Sequence, residues 1–160
     1  MKRLIFYVGT ALLLTVSTVW AGPFEDATDA YQRGDYATAF KIIQPLAAQG
    51  DAHAQYNLGA MYLQGHGVPQ DATEAIKWFR LAAEQGDADA QASLGALYLI
   101  GYGVAQDIVR AYMWFNLGAM SGDRDSVKNR DTVARRMTRA QVTEAQRLAQ
   151  QCQAQQFKNC

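Results

Sequence analysis

A 36-residue stretch that occurs twice in tandem constrains this chain more than any other feature. DAHAQYNLGAMYLQGHGVPQDATEAIKWFRLAAEQG runs from Asp51 to Gly86, and DADAQASLGALYLIGYGVAQDIVRAYMWFNLGAMSG follows without a gap from Asp87 to Gly122; the copies are identical at 20 positions. A fixed period at that density is what stacked repeats require, because each unit must offer the same packing surface to the next. It argues against one irregular globule with a single core.

Within each copy the apolar spacing is helical. The pattern predicts a helix A over Ala52–Gln64 and Ala88–Ile100, each preceded by an Asp (Asp51, Asp87) able to accept bonds from the free N–H groups of the first turn. Gly59 and Gly95 lie mid-helix at one register, where glycine costs about 1 kcal/mol relative to alanine. A cost carried twice implies that another helix comes close there. Leu58, Tyr62, Leu94 and Tyr98 are the expected buried body around it. The loops GHGVPQD and GYGVAQD then place Gly65 and Gly101 where a left-handed residue ends a helix, and Asp71 and Asp107 where the next begins. Asp71 and Glu74 read as a capping box. Helix B is expected over residues 72–85 and 108–121, with Ala75, Trp78, Phe79 and Ala82 on one face and Ala111, Trp114, Phe115 and Gly118 repeating it.

The flanks are helical too. Residues 22–50 form a shortened first unit, in which Phe24, Ala27, Ala30 and Tyr31 share a face and Asp35 caps a second helix carrying Ala39, Ile42, Ile43 and Leu46. In residues 123–160 the repeat pattern dissolves. Val127, Arg130, Val133 and Met137 outline a polar helix, and Thr138 with Gln141 forms a capping box. Val142, Ala145, Leu148, Ala149 and Cys152 then make a stripe suited to closing the end of a stack.

The pattern A-x-A-Q-x-x-L-G-x-x-Y-x-x-G-x-G-V-x-x-D-x-x-x-A-x-x-W-F-x-x-A-A-x-x-G resembles the Sel-one-like repeat (SLR), a relative of the tetratricopeptide repeat. The first copy meets it in full, and the second departs only at Gly118, where an alanine is expected. The resemblance implies an all-α fold: a short right-handed α-solenoid of antiparallel helix pairs.

Residues 1–21 have the layout of a secretory signal peptide, with Lys2 and Arg3 ahead of an apolar run and Ala21 before the expected cut; an uncleaved anchor is the rival reading. Without them the chain keeps 13 basic and 15 acidic residues, which is no footprint for nucleic acid. A periplasmic or secreted location follows from cleavage, with no membrane association afterwards. In an oxidising compartment the only two cysteines, Cys152 and Cys160, are expected to form a disulfide.

No catalytic constellation stands out. His53 and His66 lack the spacing and companions of a metal site, and His66, replaced by Tyr102 in the next copy, reads as a tolerant surface position. Trp78 and Trp114 read as core. Some cysteine-rich relatives of the resembled family bind penicillin or hydrolyse β-lactams weakly, but here the nearest S-x-x-K is TAFK, Thr38 to Lys41, without the serine. No cofactor, catalytic residue or metal is expected. In the related solenoids the non-core positions of helix A meet the ligand on the concave face. Transferred by register, these are His53, Tyr56, Ala60 and Gln64, then Asp89, Ala92, Ser93, Ala96 and Ile100, with Asp125, Lys128, Thr132 and Arg135 extending the row. The expected function is a non-enzymatic, monomeric scaffold for a protein or peptide in the cell envelope. A cell-wall enzyme of the β-lactam-binding kind and an inhibitor or immunity-type binder of one partner are the alternatives.

Overall fold

The computed structural model describes residues 22–158 and 160, so the leader read in residues 1–21 lies outside the described residues. Eight helices follow one another: α1 (Pro23–Gln32), α2 (Tyr36–Ala48), α3 (Ala52–Gln64), α4 (Ala72–Ala83), α5 (Ala88–Ile100), α6 (Ile108–Met120), α7 (Arg124–Ala134) and α8 (Arg139–Ala154). Each packs on its successor as far as α7, and α8 folds back across α6, so the chain is a short stack of helix pairs. Among the described residues no helix is long and apolar enough to cross a membrane.

The helix starts are written in aspartate. Asp35, Asp51, Asp71, Asp87, Asp107 and Asp123 each accept a backbone N–H of the first turn that has no partner within its helix. Asp51, Asp87 and Asp123 share one cap geometry, with ψ of 118°, 113° and 117°. The 36-residue register therefore continues into α7, where the sequence pattern had been expected to dissolve. The buried positions agree, because Ser126 stands where Ala54 and Ala90 stand and is equally sealed from solvent. The polar stripe centred on Val127 is thus corrected: Val133 and Ser126 face inward, Val127 and Arg130 are half-buried, and Met137 lies beyond the helix.

Other local expectations meet mixed outcomes. Gly65 and Gly101 end their helices at φ of 72° and 71°. The helix B units stop at Ala83 and Met120, because the amides of Gln85 and Ser121 turn back to Ala82 O and Gly118 O. The Asp71–Glu74 box is half made. Asp71 accepts from the Glu74 N–H, but its own N–H is already bonded to Tyr62 O and the Glu74 carboxylate turns to Lys77 at 2.6 Å. The Thr138–Gln141 box forms in both directions.

The mid-helix glycines are there for contact. A Cβ on Gly59 would sit 2.8 Å from the Phe79 ring, and one on Gly95 2.7 Å from that of Phe115. Ordinary carbon contacts begin near 3.5 Å, so helix B can approach this closely only against a bare backbone. The core divides into two clusters. The smaller joins α1, α2 and α3 through Ala27, Ala30, Ile43, Leu58 and Met61; the larger runs from α4 to α8 around Leu94, Tyr98, Trp114 and Phe115. Trp114 is sealed within the larger cluster, which Ala145 and Ala149 of α8 close, whereas Trp78 lies half-buried at the edge of the smaller. Tyr62, like Trp78, is half-buried and not the interior residue its register suggested.

Two glutamines tie successive pairs together. Gln55 and Gln91 are buried at equivalent positions, and their Nε2 atoms donate to Ala47 O and Ala83 O at the end of the preceding helix. Each of these last-turn carbonyls also accepts the N–H of the glycine that follows its helix, Gly50 or Gly86, so the glutamine adds a second bond on the carbonyl's other lone pair and ties the two units together. At the far end Cys152 and Cys160 are disulfide-bonded with Cα atoms 5.4 Å apart. Closing so short a loop contributes about 2.5 kcal/mol in the chain-entropy treatment, and it holds Gln156 and Phe157 at positive φ while Phe157 packs on the core.

Candidate functional site

The helix A units α1 and α3 do not close on each other, and a groove of about 330 Å³ lies between them. Its walls are Phe24, Thr28 and Tyr31 of α1 and Tyr56, Asn57, Ala60 and Gln64 of α3, while Ala39 and Ile43 of α2 supply the floor. No lining residue carries a formal charge. Aromatic rings, the three amides of Gln32, Asn57 and Gln64 and two phenols can offer stacking faces and neutral hydrogen bonds, and little to an isolated ion.

The side chains are held in place. Tyr56 packs against Phe79 with ring centroids 5.6 Å apart. Burial raises its phenol pKa, the negative charges of Asp89 and Asp87 add to this, and hydrogen bonding with Ser93 opposes it. Tyr31 is also raised, by burial and then by Tyr36. Its hydroxyl donates to Gln64 Oε1 at 3.2 Å and lies 2.7 Å from His66 Nδ1. Asn57 Nδ2 donates to His53 O, which leaves its Oδ1 toward solvent chemistry.

The positions expected to meet a ligand separate into groups. Tyr56, Ala60 and Gln64 line the groove. His53 stands beside Phe24, centroids 6.1 Å apart, with Nδ1 3.4 Å from Asp87, so it bridges the starts of α3 and α5. Asp89 and Ser93 adjoin Tyr56 from α5. Ile100 projects from the end of α5, 66% exposed, and Lys128 and Arg135 are exposed on α7, where Arg135 donates to Thr132; none of these three lines the groove. The α1 wall and the α2 floor lie outside the helix A positions expected to meet a ligand. Phe24 and Tyr31 fall seven residues apart on one face of α1, a spacing that had been read as packing alone.

His66 is not the tolerant surface position it was expected to be. Its ring stacks on Tyr36 at 4.0 Å, 6° from parallel, and with Tyr31 it locks the first G-x-G loop to the N-terminal unit. Thr38, the stand-in for a serine in TAFK, is exposed and gives its N–H to the Asp35 cap. Among the described residues no three His, Cys, Asp or Glu side chains converge as metal ligands.

Stacked helix pairs with a groove along the A helices define a helical-repeat scaffold of the protein-interaction kind. The Sel1 repeat family matches residues 52–87 and 88–123, so the chain carries two Sel1 repeats. These limits sit one residue later than Asp51 and Asp87, a different phase of the same period. A protective antigen present in uropathogenic Escherichia coli strains, whose crystal structure displays an SLR fold, superposes with a TM-score of 0.78 at 31% identity, covering 84% of this chain and 31% of the antigen. A Sel1 repeat protein from Oxalobacter formigenes gives a TM-score of 0.64 at 30% identity over 67% of this chain and 44% of that one. The DAP3-binding cell death enhancer 1 proteins of Mus musculus and Rattus norvegicus are 42% and 41% identical over 49 residues, 31% of this chain and only 10% of their own length.

Proposed function

We propose that the protein is an exported, monomeric, non-enzymatic scaffold that holds a protein or peptide segment along its A-helix face. The observation that carries the reading is the uncharged groove between α1 and α3, open to solvent and walled by Phe24, Tyr31 and Tyr56. Sel1-repeat scaffolds generally mediate protein–protein interaction. An extended segment can place side chains on the rings and spend its backbone groups on Asn57 and Gln64. Asp89 and Ser93 continue the surface beyond Tyr56, and Lys128 and Arg135 add positive charge at its far end. The disulfide supports an oxidising location in the periplasm or outside the cell, with residues 1–21 acting as the leader.

The test is site-specific photo-crosslinking in the intact envelope. A crosslinker at Asn57 is expected to give a discrete adduct, and one at the exposed Lys77 of α4 none. Thr28→Arg, which brings a charge to the groove, is expected to reduce the Asn57 adduct at least fivefold. Equal adducts from both positions, or indifference to Thr28→Arg, refute the reading. Turnover of a chromogenic β-lactam by the purified protein would refute its non-enzymatic part.

A further inference from the structure

The two G-x-G loops share a backbone but not their neighbours. At the first, His66 stacks on Tyr36, and Gln64 and His66 both reach the Tyr31 hydroxyl. One period later Ile100 and Tyr102 replace Gln64 and His66 and Ala72 replaces Tyr36, while Leu63 stands at the place of Tyr31, since Asp35 N–H bonds Ala30 O as Asp71 N–H bonds Tyr62 O. The framework is otherwise conserved between the loops. Gly67 and Gly103 have φ of 75° and 71°; the first lies against the backbone of Tyr36, the second against Ala72, where an added Cβ would come within 2.7 Å of the Ala72 Cβ. The loop of each repeat therefore rests on the first residue of the preceding helix B. At the second joint the platform ring is present but the ring that should cover it has shrunk to a methyl group.

The consequence is visible at the surface. Tyr102 is 43% exposed and Ile100 66%, two of the few large apolar side chains so open to solvent, and among the described residues Tyr102 forms no aromatic pair. We infer that Tyr102, Ile100 and Ala72 form a docking slot for an aromatic side chain of a partner polypeptide, which takes the place that Tyr36 fills at the first joint. The occupant is specified by the molecule itself: a planar ring, stacked near 4 Å on the residue between the loop glycines, with an aliphatic neighbour in place of Gln64. The slot continues the existing contact between Gly103 and Ala72, so the guest ring extends a joint already built. It is separate from the α1–α3 groove.

N-acetyl-tyrosinamide is the probe, followed by amide chemical shifts of the isotope-labelled protein. Saturable shifts confined to Ala72, Ile100, Tyr102 and Gly103 are expected, with at least tenfold weaker response to N-acetyl-leucinamide. Ala72→Tyr restores the residue found at this register in the first unit, so it should fold, fill the slot from within and weaken probe binding at least tenfold. Tyr102→Ser should do the same by removing the platform, whereas Thr28→Arg should leave the response intact and so separates this slot from the groove. Absence of localised shifts, an equal response to the leucine compound, or unchanged binding by Tyr102→Ser overturns the inference.

Discussion

The one departure of the second copy from the repeat pattern, Gly118, has a steric partner eight residues on. A Cβ at Gly118 would lie 2.5 Å from Ser126 Oγ and 3.1 Å from Ser126 Cβ. One period earlier the same pair is Ala82 and Ala90, both fully buried. The glycine thus makes room for the hydroxymethyl group of Ser126. Gly118→Ala gains about 1 kcal/mol of helix propensity, but it forces overlap in a closed site, which typically costs 1–3 kcal/mol. Ser126 is sealed from solvent and its N–H is held by the Asp123 carboxylate at 2.6 Å, so the residue cannot simply shift away. A net loss of about 1 kcal/mol is expected. With Ser126→Ala already in place the 2.5 Å overlap is gone and only the 3.1 Å Cβ contact remains, in the pairing that Ala82 and Ala90 already make one period earlier, so Gly118→Ala should then stabilise by about 1 kcal/mol, through propensity and one more buried methyl. The sign reversal amounts to a coupling of about 2 kcal/mol, well above the few tenths at which distant sites deviate from additivity. Urea unfolding of the four proteins, followed by far-ultraviolet circular dichroism and tryptophan fluorescence, measures it. A Gly118→Ala effect equal in the two backgrounds to within 0.5 kcal/mol would show that the two positions do not compensate each other.

Two further outcomes follow from comparing equivalent positions. Gln55 Oε1 accepts from Gln85 Nε2 at 2.8 Å, but Gln91 Oε1 is buried without a partner because Ser121 stands where Gln85 would be. Ser121→Gln should therefore raise stability by about 1 kcal/mol, read as an increase in the urea midpoint at unchanged m-value, and an unchanged or lower midpoint would contradict the assignment. Asp123 has its pKa lowered, first by hydrogen bonding from Ser126, whose backbone N–H donates to Oδ2 at 2.6 Å, against some desolvation. A carboxyl whose folded pKa lies below its unfolded value of about 3.9 adds stability that is present above that value and lost as pH falls through the folded one. Asp123→Asn keeps the cap shape but cannot titrate, so its urea midpoint should fall less steeply than that of the parent as pH drops below about 4; parallel profiles would exclude this role.

Much of the fold was legible because it is encoded locally and then repeated. The helix A limits, the aspartate caps and the left-handed glycines each depend on a few adjacent residues, and a second copy confirms the reading. Gly59 and Gly95 announced a close approach through a propensity cost, although the rings that cause it lie 20 residues away. What escaped the sequence depends on pairs one unit apart. Gln55 and Gln91 look like surface amides until their carbonyl partners on the preceding helix are known. His66 looked interchangeable with Tyr102 because the comparison held the position fixed and ignored the residue beneath it, which changes from Tyr36 to Ala72 at the same time.

Gly118 with Ser126 and His66 with Tyr36 are thus two results of one rule. In a stacked repeat a side chain must fit its counterpart in the neighbouring unit, so a substitution becomes interpretable only when read with the residue it meets across the joint. Where both members change together and volume is conserved, as at Gly118 and Ser126, the change maintains packing. Where a ring is kept but the neighbouring residue shrinks, as at Tyr102 when Tyr36 gives way to Ala72, the ring stays 43% exposed, and this is the opening that the proposed docking slot uses. The same comparison sorts the groove residues. Ala39 recurs as Ala75 and Ala111, but Ile43 of the floor becomes Phe79 and Phe115, and Tyr56 and Gln64 of the wall become Ala92 and Ile100 one unit later. Walls and floor thus change together from joint to joint, so the proposed binding groove belongs to the first joint alone while the caps and glycines of the frame repeat.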